Sequence, residues 1–262
     1  MITSTHNERV KYIRSLARRR TRQREGRFVV EGTRLLEDMV RAGIQPALAF
    51  YTASWAASTS AQQLLPSLDS AEDGCWLVSD AVLAACSDTQ APQGVLAVVA
   101  IQDKQPNPGL ILVLDQMRDP GNLGTILRSA EAAGAGQVLL SPGTVDLYNP
   151  KVVRGAMGAH FRLPVASLTW PAIAMRLARR RVWLADSAGA TTYDVVDWTE
   201  PSALIVGGEA SGAGAEAAGL ARGRISIPMA SDVESLNAAM AATTILFEAA
   251  RQRRDRSKRE NP

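Results

Sequence analysis

Short aliphatic runs alternate with stretches of helical period along most of the chain, and this alternation predicts an α/β protein. Near the start, Val10, Ile13, Leu16 and Ala17 form one apolar stripe of a helix predicted over 10–24, with arginines covering its other faces. Arg27–Glu31, Ala47–Tyr51, Cys75–Val78 and Gly94–Ala100 read as strands, and Thr33–Ala42 and Ala81–Cys86 as helices. Together they predict a small α/β domain over 1–104. The stretch Asp103–Gly109, with Pro106, Asn107, Pro108 and Gly109, has the turn chemistry of a linker.

A second domain, 109–262, opens with Leu110–Leu114, aliphatic throughout as befits a strand buried on both faces. The run breaks at Asp115. Asp119-Pro120-Gly121-Asn122 then predicts a type II turn, with Asn122 capping a helix that runs to Ala133 and is ended by Gly134. Further strands are expected at Val138–Ser141, Val182–Ala185, Ala203–Val206 and Arg224–Pro228. A long helix follows from about Val233 to Arg254, with Ser231 and Glu234 as its capping box and Leu236, Met240, Thr243, Phe247 and Ala250 as its buried stripe. No internal repeat interrupts this order.

The net charge of +3 over 262 residues understates how the positive groups are distributed. Arg18, Arg19, Arg20 and Arg22 lie at the centre of an arginine-rich N-terminal run, and a second cluster spans Arg251 to Arg259. Bunched arginine is the electrostatic footprint of a polyanion binder, and solvated helix faces are the plain alternative. Cys75 and Cys86 make no CxxC pair and His6 stands far from His160, so no metal is expected. The polar, basic start lacks the apolar core of a secretory signal, and no run approaches the length of a membrane span. The expected compartment is the cytoplasm.

Three separated segments follow strand-like runs, where open α/β sheets place their ligands. In the first, Gly124 bares backbone beside Arg128, whose guanidinium suits bidentate contact with a phosphate; a surface ion pair with Glu131 is the simpler role. The second, Ile205 to Gly214, is glycine-rich. It fails as a P-loop because Ala213 stands where lysine is needed, and as a dinucleotide fingerprint because the third glycine is missing. The third places Ile227, Pro228 and Met229 at a strand end, ahead of Ser235-Leu236-Asn237, where apolar side chains suit either a core or a flat ligand.

Taken together, the segments resemble the SpoU/TrmH branch of the SPOUT methyltransferases. The resemblance rests on Asn122-Leu-Gly124 leading to Arg128, on Gly207-Gly208-Glu209, and on Ile227-Pro-Met229 with Ser235-Leu-Asn237. Gly208 and Ala210 depart from the commoner Gly-Asn-Glu-Gly of the second motif. The resemblance implies an α/β domain with a deep trefoil knot, a homodimer, S-adenosylmethionine as cofactor, and methyl transfer to a ribose 2′-hydroxyl, with 23S ribosomal RNA ahead of transfer RNA. It casts Arg128, Asn122 and Glu209 as catalytic, and Gly207, Glu209, Ile227, Met229, Leu236 and Asn237 as cofactor-binding. The first hundred residues look like an L30e-like RNA-binding domain, with Arg18, Arg19, Arg20 and Arg22 expected on RNA. A non-catalytic RNA- or ribosome-binding protein and a base-methylating SPOUT enzyme are the competing readings.

Overall fold

The computed structural model describes residues 1–209, 212–230 and 235–260. The chain forms two compact units, residues 1–103 with 146–161 and residues 104–145 with 162–262. The first contains α1 (Glu8–Ser15), α2 (Arg19–Glu25), β1 (Arg27–Glu31), α3 (Thr33–Arg41), β2 (Leu48–Thr52), α4 (Ala53–Ala56), α5 (Thr59–Leu68), β3 (Cys75–Val78), α6 (Asp80–Cys86) and β4 (Val95–Ala100). Its sheet runs β1-β4-β2-β3; β4 is antiparallel to both neighbours and β2–β3 is parallel. Alternation along β1 and β4 sends Phe28, Val30, Val95, Ala97 and Val99 to one core and Leu96 and Val98 to the other, so helices cover both faces.

The predicted single helix over 10–24 is two helices, broken where Arg18 takes an extended conformation (φ −88°, ψ 127°). The break has a visible cause. Arg22, buried, folds back so that its Nη1 donates to the carbonyls of Leu16 (2.7 Å) and Ala17 (2.7 Å) just past the end of α1. Its Nη2 pairs with Asp146. The expectation of an RNA-facing Arg22 therefore meets an interior, committed side chain, whereas Arg18, Arg19 and Arg20 are exposed.

The second unit begins with β5 (Ile111–Asp115), α7 (Pro120–Ala132) and β6 (Gln137–Leu140). The chain then passes through α8 (Pro150–Gly155) and α9 (Ala159–Arg162), most of which belong to the first unit: Tyr148 packs on Phe28 with ring centres 4.7 Å apart, and Arg154 pairs with Asp88. It returns for β7 (Val165–Ser167), α10 (Trp170–Leu177), β8 (Arg181–Ala185), β9 (Thr191–Thr192), β10 (Ser202–Gly207), α11 (Ala215–Leu220), β11 (Gly223–Ser226) and α12 (Ala238–Glu260). All seven strands are parallel, in the order β7-β6-β5-β10-β8-β11-β9. The aliphatic runs of β5 and β10 are buried on both faces, as a parallel sheet sandwiched by helices requires. The path steps outward from β5 to β6 and β7, and only later inserts β10 on the other side of β5. That reversal is where such sheets open a crevice at their carboxyl ends.

Two helix starts differ from the sequence reading, and both bear on the site. Asp119, not Asn122, caps α7: its Oδ1 accepts from the Asn122 N–H at 2.7 Å, and Pro120 occupies the first helical turn instead of a type II turn. Asn122 thus keeps its side chain free. Likewise α12 starts at Ala238 instead of about Val233, with the Asn237 Oδ1 accepting from the N–H groups of Ala239 (2.9 Å) and Met240 (3.3 Å); the expected Ser231/Glu234 capping box lies outside the described residues. The buried stripe of α12 is Ala239, Ala242, Ile245, Leu246 and Ala249, whereas Met240 and Phe247 of the predicted stripe are about half exposed.

Candidate active site

The carboxyl ends of β10, β8 and β11, with the start of α12, bound a cavity of about 1010 Å³. Its walls include the backbone of Gly207 and Gly208, the apolar Leu184, Ile225 and Ile227, and beyond β11 Met229, Leu236 and Asn237. Glycine is required at two of these positions. A Cβ on Gly207 would overlap the backbone of Gly212, and one on Gly208 would lie 2.7 Å from the carbonyl oxygen of Gln116. Gly208 replaces the asparagine of the commoner motif at a spot where this backbone leaves no room for a side chain; Ala210, the other departure, is outside the described residues.

The loop after β10 is tied down by a buried carboxylate. Asp115, fully buried at the end of β5, accepts from the Ser141 hydroxyl (2.7 Å) and from the N–H of Gly214 (2.7 Å). Ser141 in turn accepts from the N–H of Gln116 (3.0 Å), which sits in the left-handed region at φ 51°. Such strain in a non-glycine residue persists only where the surroundings hold it. Asp115 and Ser141 were missed as site residues by the sequence reading. Their signal was slight: a single polar residue closing each of two aliphatic runs.

At the rim, the three motifs meet through side-chain amides. The Asn237 Nδ2 donates to the Asn122 Oδ1 at 3.1 Å, and the Asn122 Nδ2 donates to the Glu209 carboxylate. The orientation of each amide follows from the helix cap. Asn237 must present its oxygen to the α12 N–H groups, so its nitrogen faces Asn122, which then turns its own nitrogen to Glu209. One residue from each motif is fixed in register by this chain of bonds. Gly207, Glu209, Ile227, Met229, Leu236 and Asn237 all line the cavity; Asn122 reaches it through two hydrogen bonds.

Arg128 lies one and a half turns along α7 from Asn122 and does not line the cavity. It is exposed and has no ion pair among the described residues, because Glu131, the partner that would have made it a surface pair, is held by Arg162. Its guanidinium is available to an anion from outside.

The cavity fits S-adenosylmethionine by its chemistry. Apolar side chains and bare backbone suit the adenine and ribose, and polar groups, including Asp186 paired with Arg224 at 2.8 Å, suit the charged amino-acid end. Among the described residues, no helix is long and apolar enough to cross a membrane.

A parallel α/β domain with a large cavity at its strand ends, carried with a separate α/β unit, belongs to the class of α/β proteins that bind a ligand at the sheet's carboxyl edge, and comparison with known proteins narrows the class to one family. The pattern of the SpoU rRNA Methylase family matches residues 109–247, and that of an MRM3-like substrate binding domain matches residues 7–97. A Bacillus subtilis protein named 23S rRNA (guanosine(2553)-2′-O)-methyltransferase RlmP is 31% identical over 94% of this chain and 97% of its own length. The Streptomyces viridochromogenes 23S rRNA (uridine(2479)-2′-O)-methyltransferase is 33% identical over 91% of this chain and 87% of its own. The crystal structure of an AdoMet-bound rRNA methyltransferase from Sinorhizobium meliloti superposes with a TM-score of 0.83 at 30% identity, covering 95% of this chain and 97% of that one. The chain belongs to the SpoU rRNA methylase family.

Proposed function

We propose that this protein transfers a methyl group from S-adenosylmethionine to a ribose 2′-hydroxyl of 23S ribosomal RNA. The observation that carries the reading is the bonded series Asn237–Asn122–Glu209 at the rim of a cavity lined by Gly207, Ile227 and Leu236. The 23S rRNA 2′-O-methyltransferase names of two relatives that match nearly end to end support the substrate.

S-adenosylmethionine supplies an electron-poor methyl carbon on sulfonium. The chain's residues do the rest. Gly207, Ile227, Met229 and Leu236 hold the donor by backbone groups and apolar faces, and Asn122, Glu209 and Asn237 fix the rim where the ribose arrives. When bound there, the donor would supply the methyl group to the hydroxyl oxygen, with S-adenosylhomocysteine as the leaving group and the hydroxyl proton passing to solvent water. Arg128 orients the neighbouring phosphate and stabilises negative charge developing on the attacking oxygen. The test is transfer of labelled methyl to ribosomal RNA lacking the modification: alkali-resistant dinucleotides from 23S RNA are expected, and label on released bases or none at all would refute the reading.

Residues 1–104, joined in their unit by the 146–161 segment, serve as the substrate-binding domain and the rest of 109–262 as the catalytic domain, whose loops form the trefoil knot. Exposed Arg18, Arg19 and Arg20 track the RNA backbone. Replacing all three with glutamine is expected to flatten the dependence of log affinity on log salt by up to about 2. An unchanged slope in a filter-binding titration would remove them from the interface. Leu236, Met240 and Phe247 leave an apolar strip exposed along the start of α12, and burying it makes the enzyme a homodimer, to be checked as twice the chain mass by sedimentation. The setting is cytoplasmic; Cys75 and Cys86 are unpaired thiols raised by burial to about 12 and about 11, inert at neutral pH.

A further inference from the structure

The basic cluster at the end of α12 takes no part in the methyl-transfer site, and its members differ in what holds them. Arg251 pairs with Glu248 (2.7 Å) and Asp255 (3.1 Å), and Arg256 faces Glu200 at 3.8 Å. Arg253 is half-buried and has no ion pair among the described residues. Its Nε donates to the carbonyl of Trp198 at 2.9 Å, which leaves the fork of Nη1 and Nη2 with no acceptor from any described residue. Arg180, between α10 and β8, is in the same condition. It too is half-buried and without an ion pair; its Nη1 donates to the carbonyls of Gly109 (2.8 Å) and Ser202 (3.4 Å), and its other nitrogens are uncommitted. None of the unbonded nitrogens on these two side chains is sealed from solvent.

The two guanidiniums lie at the amino edge of the parallel sheet, where Ser202 opens β10 beside Arg181 of β8 and Trp198 comes just ahead of Ser202. Burial lowers the pKa of both from the ordinary arginine value, and the charge of Arg180 is near enough to lower that of Arg253 further. The acids of this segment do not relieve the repulsion: Asp197 accepts from the N–H and hydroxyl of Thr199, and Glu200 faces Arg256. Arg179, Arg181 and Arg254, sequence neighbours of the pair, are exposed and without ion pairs among the described residues, so they add to the positive field.

A fixed fork of N–H donors beside a second guanidinium suits bidentate contact with a phosphate. Resting on the reading that RNA is the substrate, we propose that Arg180 and Arg253 clamp a backbone phosphate of that RNA at the amino edge of the catalytic sheet. The cofactor cavity is at the carboxyl edge, roughly 17 Å away along β10 at about 3.3 Å per residue. The clamped phosphate therefore belongs to a different stretch of RNA from the nucleotide that receives the methyl group. Such a contact sets affinity and the approach of the RNA; it carries no base information.

Footprinting on the full, unsubstituted chain tests the clamp directly. Arginines are modified with 2,3-butanedione in borate, with no addition, with 23S ribosomal RNA, or with inorganic phosphate at the same total phosphate, and the adducts are located by mass spectrometry. RNA is expected to protect Arg180 and Arg253, and inorganic phosphate to protect neither. Replacing both with glutamine, which keeps an amide donor for the carbonyls, should weaken RNA binding by about tenfold and flatten the dependence of log affinity on log salt by about 1. Binding of S-adenosylmethionine to the same variant should be unaltered, and where the double substitution unsettles the fold the footprint decides. Absence of protection, equal protection by inorganic phosphate, or an unaltered salt slope in a variant that still binds the cofactor would overturn the proposal. Protection without methyl transfer would uphold the clamp and refute the methyltransferase reading; methyl transfer without protection would do the reverse.

Discussion

Arg128→Ala is expected to lower the turnover of methyl transfer by about 10²–10³-fold, the loss typical of removing one group that stabilises charge in the transition state. Binding of S-adenosylmethionine should change by less than about twofold, because the side chain does not line the cofactor cavity. Stability should also be unaltered, since Arg128 is exposed and makes no ion pair among the described residues. Arg128→Lys separates charge from shape: an ammonium retains the positive charge but loses the planar fork, so only part of the activity should return. Single-turnover kinetics at saturating RNA would decide. Turnover within about threefold of the parent in Arg128→Ala would remove this residue from the chemistry.

What pattern reading recovers of this fold follows from what is local. Leu110–Leu114 reads as a doubly buried strand because no other element buries five aliphatic residues in succession so economically, and it is one. The phase of α12 is not local. Met240 and Phe247 are apolar and occur at helical spacing, yet the buried stripe is built from alanines with Ile245 and Leu246, so hydrophobicity alone pointed to the wrong face. Arg22 is similar: nothing in an arginine-rich run marks the one side chain that turns inward to Leu16, Ala17 and Asp146, the last of which lies 124 positions away. The association of 146–161 with the first unit depends on contacts such as Tyr148 with Phe28 that no periodicity encodes.

The site was legible to a different degree and for a different reason. Glycines, an arginine and asparagines at strand ends are individually ambiguous, and only their resemblance to a family pattern made them a group. The structure supplies the geometry: Asp119 takes the capping role, which releases the Asn122 amide, and Asn237 caps α12, which orients its amide toward Asn122. Both asparagines therefore connect a helix terminus to the rim of the cavity. Asp115 and Ser141 gave no comparable signal, because a polar residue after a strand is commonplace.

Asp115 nevertheless carries the second large expected effect. Its carboxylate is fully buried and joins two segments far apart in sequence, Ser141 after β6 and Gly214 at the start of α11. Asp115→Ala leaves the Gly214 N–H without its acceptor and the Ser141 hydroxyl without its anchor, an interior loss of about 2–4 kcal/mol. For a domain of this size that lowers Tm by about 5–15 °C. The consequence for the site is sharper than for the fold. The stretch from Gly207 to Gly214 is held to β5 at Gly214, and Gly207 and Gly208 pack so closely against neighbouring backbone that a loosened loop closes the cofactor wall only part of the time. Cofactor affinity measured by calorimetry well below the melting transition should fall by at least about tenfold, since only the ordered fraction binds. Asp115→Asn should lie between the two: its oxygen still accepts from Gly214, and its nitrogen can donate to the Ser141 oxygen if that hydroxyl turns to the Pro142 carbonyl, 3.2 Å away. If Asp115→Ala melts early but binds S-adenosylmethionine as the parent does, the carboxylate supports the sheet alone and the glycine loop keeps its shape by other means.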